Sequence, residues 1–256
     1  MTNSAVQFLD LGEGPSQRQI AYAHQTGRSP SLFWLGGYNS DMQGNKAQAL
    51  VELGNEHGFA VTRFDYMAHG QSTGDFHQAN ISLWLEDAIA VFNECCEGPQ
   101  ILVGSSMGGW LAMLLNQHIR AQGAGKIVGM LLIAPAVDMT RELVPQRFSQ
   151  SQLAEMKSKG FIEVPSKYGD GPYVYTQNLI DDGEKHLLLG TPIETECPVH
   201  ILQGQQDPDV PASHAERLLQ HLMLDEAQLT MLPDGDHRLS RPEDLDLLKR
   251  SILQFV

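Results

Sequence analysis

Short apolar runs that alternate with longer stretches of helical periodicity constrain this chain more than any other feature. SLFWLG (31–36), FAVTRFD (59–65), QILVG (100–104), IVGMLLIA (127–134), PVHILQG (198–204) and AQLTMLP (227–233) read as strands. NKAQALVELGNEHG, SLWLEDAIAVFNECC, GGWLAMLLNQHIRAQG, ASHAERLLQHLM and the C-terminal PEDLDLLKRSILQFV read as helices. Strands that alternate with helices in this way predict an α/β protein with a mostly parallel central sheet flanked by helices. VQFLDL and QIAYAHQ, ahead of the first run, suit an antiparallel hairpin at one edge of that sheet. With 256 residues and 42% hydrophobic content, one sizeable core and a single domain over 1–256 are expected.

The alternation stops between Asp138 and Gly190. There a short helix, QSQLAEMKSKG, precedes the Gly- and Pro-rich run FIEVPSKYGDGPYVYT and a further helix. More than fifty residues between two strands of one sheet predict a functional segment rather than a connection, and its tyrosines and β-formers predict order. The expectation is a small lid over 138–190. Phe148, Phe161, Tyr168, Tyr173 and Tyr175 are its aromatic candidates for an acyl pocket, with Tyr168 and Tyr173 as the substrate-binding pair.

LVGSSMGGW (102–110) lies where a strand gives way to a helix, and Gly104, Ser106 and Gly108 fit G-x-S-x-G. In that pattern the serine sits on a sharp strained turn, and the flanking glycines let strand and helix approach without Cβ clashes. Ser106 is in register and Ser105 is not. A serine hydroxyl needs a base, itself oriented by a carboxylate, and on such a sheet the partners follow in the order Ser, Asp or Glu, His. Asp207, in QQDPDVP, and His237, in DGDHRLS, each follow a later strand. Asp209 competes for the carboxylate role; Pro208 and Pro211, which turn the chain away, favour Asp207. His69 precedes the serine and reads as a structural loop residue.

Acyl transfer also needs donors for an oxyanion. The backbone N–H of Met107 follows the nucleophile directly, and GGYNSD after the SLFWLG strand offers the amide of Tyr38 as the second donor. HExxH, GxxxxGK[ST] and GxGxxG are absent from the sequence, so neither a metal nor a nucleotide is called for and no cofactor is expected. Seventeen Lys and Arg against 31 Asp and Glu give a net charge of -14, which disfavours nucleic acid and anionic membranes as partners. Cys95, Cys96 and Cys197 form neither a disulfide framework nor a metal pattern. The first residues lack the pattern of a signal or transit peptide, and no apolar block is long enough to span a bilayer. Cytoplasmic residence is the expectation.

Over essentially its whole length the chain resembles the α/β-hydrolase fold family. GGYNSDMQGNKA, RFDYMAHGQSTG, GPQILVGSSMGGW, VPSKYGDGPY and DHR resemble, more narrowly, the branch of acyl-protein thioesterases and acyl-glucuronide esterases. Its pattern departs in two places: the first residues carry no transit-peptide pattern, which speaks against the mitochondrial residence of the mammalian member, and GG stands where many relatives carry His-Gly or Pro-Gly before the oxyanion aromatic. The resemblance implies Ser106, Asp207 and His237 as the triad, and a small-molecule or acylated substrate cleaved at a carboxylic ester or thioester through an acyl-serine. A triad does not encode its leaving group, so a carbon-carbon bond hydrolase, a peptidase and a non-catalytic binding protein on this fold stand as alternatives.

Overall fold

Side chains alternate across a strand, so a strand covered on both faces must be apolar at nearly every position. In β3 (Arg28–Leu35), Phe33 and Leu35 enter one apolar cluster while Leu32 and Trp34 enter a second. β5 (Gln100–Ser105) divides Leu102 from Ile101 and Val103 in the same way, and β6 (Ile127–Ile133) divides Met130 and Leu132 from Leu131 and Ile133. The computed structural model describes residues 4–14, 17–123, 126–165, 172–223 and 226–256. With β1 (Gln7–Leu11), β2 (Arg18–Gln25), β4 (Phe59–Phe64), β9 (Val199–Gly204) and β10 (Gln228–Leu232), these strands form an eight-stranded sheet in the order β1-β2-β4-β3-β5-β6-β9-β10. From β4 to β10 each neighbour is parallel; β1 and β2 make the antiparallel edge expected from the sequence.

Helices cover both faces. α1 (Asn45–His57) and α8 (Pro242–Ile252) bury Leu50, Leu53, Leu248 and Ile252 on one side. α2 (Ile81–Cys95), α3 (Met107–Ala121) and α7 (Ala212–His221) bury Trp84, Phe92, Trp110, Leu111 and Leu218 on the other. The Asn80 side chain accepts the Leu83 N–H at the start of α2, and Gly58, at φ 76°, ends α1 in the left-handed region that glycine enters without strain. Among the described residues no helix is long and apolar enough to cross a membrane.

Residues 138–190 hold α4 (Met139–Glu142), α5 (Gln150–Lys159), β7 (Phe161–Val164), β8 (Tyr173–Thr176) and α6 (Gln177–Gly183). The two ends of the run FIEVPSKYGDGPYVYT pair as an antiparallel hairpin, from Phe161 opposite Thr176 to Val164 opposite Tyr173. A carboxylate staples the base of the segment: Asp138 accepts the N–H groups of both Leu188 and Leu189, fifty residues on. Its apolar side chains, among them Val144, Met156, Ile162, Tyr175 and Leu179, join the cluster that lies under α2 and α3.

One ion pair ties the antiparallel edge to this framework. Arg18 Nε donates to Asp87 Oδ1 at 2.6 Å with both side chains fully buried, and the other oxygen of Asp87 accepts the Met67 N–H at 2.8 Å. Without the Asp87 charge, buried Arg18 keeps only the longer 3.3 Å contact to the exposed Glu86, and breaking a buried pair costs about 3–5 kcal/mol. Asp87→Asn is therefore expected to lower the free energy of unfolding in urea by that amount, whereas a loss below about 1 kcal/mol, the range of an exposed pair, contradicts the assignment.

Candidate active site

The site is built on a turn that only glycine neighbours allow. Ser106 links β5 to α3 at φ 55° and ψ −120°, outside the regions open to unstrained L-residues. A Cβ on Gly108 would lie 2.0 Å from the Leu35 carbonyl oxygen, and one on Gly104 would lie 2.3 Å from the Gly108 carbonyl oxygen. Glycine at these two positions lets β3, β5 and α3 converge at one point. The turn is held by the Ser106 N–H, which donates to Ile133 O, and by the Ser106 carbonyl, which accepts the N–H groups of Gly109 and Ala136. Ser105 remains the last residue of β5 and is buried.

The loops after β9 and β10 bring the other two expected residues to Ser106. His237 Nε2 lies 3.1 Å from Ser106 Oγ, and its Nδ1 lies 2.8 Å from Asp207 Oδ2. Asp207 Oδ1 accepts the N–H groups of Asp209 and Val210, each at 2.8 Å, while Gln203 Nε2 reaches Oδ2 at 3.2 Å. Burial raises the Asp207 carboxyl, but the hydrogen bond and charge of His237 and the two amides outweigh it, and the net pKa is below the ordinary value. An ionised carboxylate only accepts, so Nδ1 carries the proton and the Nε2 lone pair faces the serine hydroxyl. Asp209 turns elsewhere: its carboxylate lies 3.5 Å from Arg147, and Arg147 donates to its carbonyl at 2.7 Å. Asp207, Asp209 and His237 do bring ligand-type atoms within 4.8 Å of one another, but Asp207 and His237 spend theirs on each other.

Gly37 sits against the nucleophile, since a Cβ there would lie 3.3 Å from Ser106 Cβ. The peptide that carries the Tyr38 N–H therefore borders the serine, and the Met107 N–H opens α3 beside it. Neither amide donates to another protein group among the described residues. The loop is held from behind by a residue that the sequence identified only as structural. His69 Nδ1 bonds the Met67 carbonyl at 3.0 Å, and Nε2 accepts the Asn39 N–H at 3.0 Å. Burial holds this imidazole neutral, with its pKa down at about 4, only partly offset by the Met67 carbonyl. That histidine follows β4, a neighbour of β3 in the sheet, and only this adjacency gives it a role in the loop.

Around the serine lies a cavity of about 590 Å³. Its lining includes the apolar Met139, Leu143, Val144, Phe148, Val164 and Tyr175, with Arg147 and Gln152 from the same segment, and the polar Asp41, Asn45, Lys46, Arg238 and Ser240. Tyr173 lines it as expected, and Tyr168 lies outside the described residues. Phe161 is away from the lining and packs edge-on to His77 at 4.6 Å. Met139, Leu143, Val144 and Lys46 are not marked in the sequence, because nothing local identifies an ordinary apolar or basic residue as facing a cavity. Lys46 Nζ donates to the Arg238 carbonyl, one residue beyond His237, and burial lowers its pKa to about 8.

The chain is similar to several known proteins. A family model described as serine aminopeptidase, S33 matches residues 32–178. A bovine protein named palmitoyl-protein thioesterase ABHD10, mitochondrial, is 34% identical over 99% of this chain and 80% of its own length. A solved chain from Agrobacterium vitis S4 superposes with a TM-score of 0.95 at 41% identity, covering 99% of both chains. The mouse α/β hydrolase domain-containing protein 10 superposes with a TM-score of 0.86 at 30% identity, covering 98% of both.

Two outcomes are expected from this site. Asp207→Asn should lower kcat by about 10⁴, as misorientation of the histidine does in a serine protease, while Asp209→Asn stays within about tenfold; steady-state kinetics with an activated ester ranks them, and the reverse order moves the role to Asp209. His69 binds its proton more weakly folded than unfolded, so its contribution to stability is complete above pH 6.5 and is lost as the pH falls towards 4. Thermal melts of His69→Gln across that window should accordingly show a shallower pH dependence than wild type, and parallel curves would contradict a neutral buried imidazole.

Proposed function

We propose, for a chain that belongs to the α/β-hydrolase family of the palmitoyl-protein thioesterase ABHD10, that Ser106, His237 and Asp207 cleave fatty acyl thioesters and related carboxylic esters through an acyl-Ser106 intermediate. Membership makes the chain a serine ester or thioester hydrolase; the catalytic residues, the acyl class and the lid are our reading. The observation that carries it is the continuous relay from Asp207 through His237 to Ser106, opening on a cavity lined in part by apolar side chains.

His237 Nε2 takes the Ser106 Oγ proton as the oxygen attacks the carbonyl carbon. Charge collects on the former carbonyl oxygen, where the Met107 and Tyr38 amides donate to it. Asp207 keeps Nδ1 protonated and stabilises the imidazolium that forms. That imidazolium then gives its proton to the departing thiolate or alkoxide. Water enters, loses a proton to His237 and releases the acid. The acyl chain runs along Met139, Leu143, Val144 and Phe148, and the leaving group meets the polar lining residues Asn45, Lys46 and Arg238. Residues 138–190 serve as the lid of one domain spanning 1–256, and their aromatic residues shape the acyl branch. A small-molecule or protein thioester fits this division, and the chain's charge of -14 argues against nucleic acid. Cytoplasmic residence belongs to the same reading, supported by three free thiols; cell fractionation tests it.

Ser106→Ala is expected to abolish turnover of acyl thioesters by about 10⁶ in kcat while leaving the fold intact, and Ser105→Ala to retain most activity. A panel of saturated acyl thioesters and oxyesters of rising chain length, read as kcat/KM, should peak at medium or long chains and fall for acetyl. Retained activity in Ser106→Ala moves the nucleophile to another residue, whereas wild-type protein that a fluorophosphonate fails to label and that turns over none of the panel returns the fold to a binding role.

A further inference from the structure

The side chain of Tyr38 and its backbone meet two different parts of the molecule. Its amide borders Ser106, whereas its phenol donates a hydrogen bond to the carbonyl oxygen of Val174, in β8 of the 138–190 segment. The ring is the hinge-point of an aromatic cluster. Edge-on contacts to Phe76 at 5.4 Å, Trp84 at 5.7 Å and His69 at 6.4 Å fix it on the sheet side. On the hairpin side it stacks on Tyr175 at 5.3 Å with the planes 9° apart, and Tyr173 lies tilted at 6.2 Å. Burial pushes its pKa well above that of an ordinary tyrosine, so the phenol stays protonated and donates.

Gly36 and Gly37 precede this residue and leave the peptide free to rotate unless something else fixes it. His69 holds Asn39, on the far side. The Ser40 N–H donates to the Gly37 carbonyl, on the same peptide as the Tyr38 amide, at 3.1 Å, and the Tyr38 side chain adds a second hold that runs to the hairpin. Tyr173 and Tyr175 also line the cavity along which the acyl chain runs in the reading above. We propose that Tyr38 is a positioning residue that couples the β7–β8 hairpin to the oxyanion donor of its own backbone, so that an acyl chain seated against the hairpin sets that donor for the tetrahedral intermediate. The proposal rests on the acyl-Ser106 reading.

Tyr38→Phe keeps every ring contact and removes only the bond to Val174; Tyr38→Leu removes the ring as well. The discriminating probe is a dodecyl trifluoromethyl ketone. Its carbonyl carbon accepts Ser106 Oγ, His237 takes the hydroxyl proton, and the ketone oxygen becomes an oxyanion that needs the donor. Dodecyl alcohol, which occupies the acyl branch without forming that charge, is the control. Loosening a donor is expected to cost less than the 10²–10³ of deleting one, so Tyr38→Phe should raise Ki for the ketone about tenfold and lower kcat about tenfold. KM, the affinity for the alcohol and Tm should stay close to wild type, because acyl contacts and ring packing are intact. Tyr38→Leu should lower Tm, and Phe should restore Tm but not ketone affinity. If Phe restores both, or if ketone and alcohol weaken equally, the phenol has no positioning role and the proposal is overturned. Ser106→Ala separates the two levels: an active Ser106→Ala removes the catalytic reading itself, whereas an inactive one beside a normal Tyr38→Phe removes only the coupling.

Discussion

The backbone at Ser106 is the constraint from which the rest of the site follows. An L-residue held at φ 55° and ψ −120° is strained by about 1–3 kcal/mol, and it persists because the surrounding hydrogen bonds leave it no alternative. Ile133, Gly109 and Ala136 fix the serine peptide from three directions. The same turn brings the start of α3 so close to the end of β3 that glycine is required at position 108. One compressed junction thus aims the hydroxyl, exposes the Met107 amide and sets the Tyr38 peptide alongside.

Parallel topology then does what no single element does. In a sheet whose neighbours run the same way, the loops that leave the C-terminal ends of the strands gather on one edge. The loop after β3 contributes Tyr38, that after β5 the serine, and those after β9 and β10 the aspartate and histidine. The polar contacts are graded in burial. Asp207 is fully buried with each carboxylate oxygen bonded, whereas His237 keeps 17% of its side chain exposed beside the cavity. The carboxylate is therefore fixed, and the imidazole has access to both serine and solvent.

The 138–190 segment shares the apolar cluster beneath α2 and α3 rather than forming a core of its own, and Asp138 clasps its two ends. It reaches the machinery at two places. Tyr38 bonds to Val174, and Arg147, whose charge acts on Tyr175, donates to the Asp209 carbonyl two residues beyond Asp207. In the proposed reading, the residues that shape the acyl branch and those that support the reacting groups are partly the same.

The sequence by itself determined the strands, the helices and the serine, because each depends on local chemistry: alternating burial makes an apolar run, and a strand-to-helix turn of G-x-S-x-G admits one register for the nucleophile. It also ordered Asp207 and His237 after later strands, yet left Asp209 as a rival, since two carboxylates two residues apart are equivalent until their loop closes. Tertiary structure decided between them by turning Asp207 inward onto the Asp209 and Val210 amides and pairing Asp209 with Arg147. It alone made His69 the support of the loop after β3, put Lys46, Met139, Leu143 and Val144 on the cavity, paired the two ends of the 161–176 run as a hairpin and sent Phe161 to His77. Those assignments depend on which strands become neighbours and how a fifty-residue insertion packs back on the sheet. Contacts of that kind join residues distant in sequence, and local pattern carries no record of them.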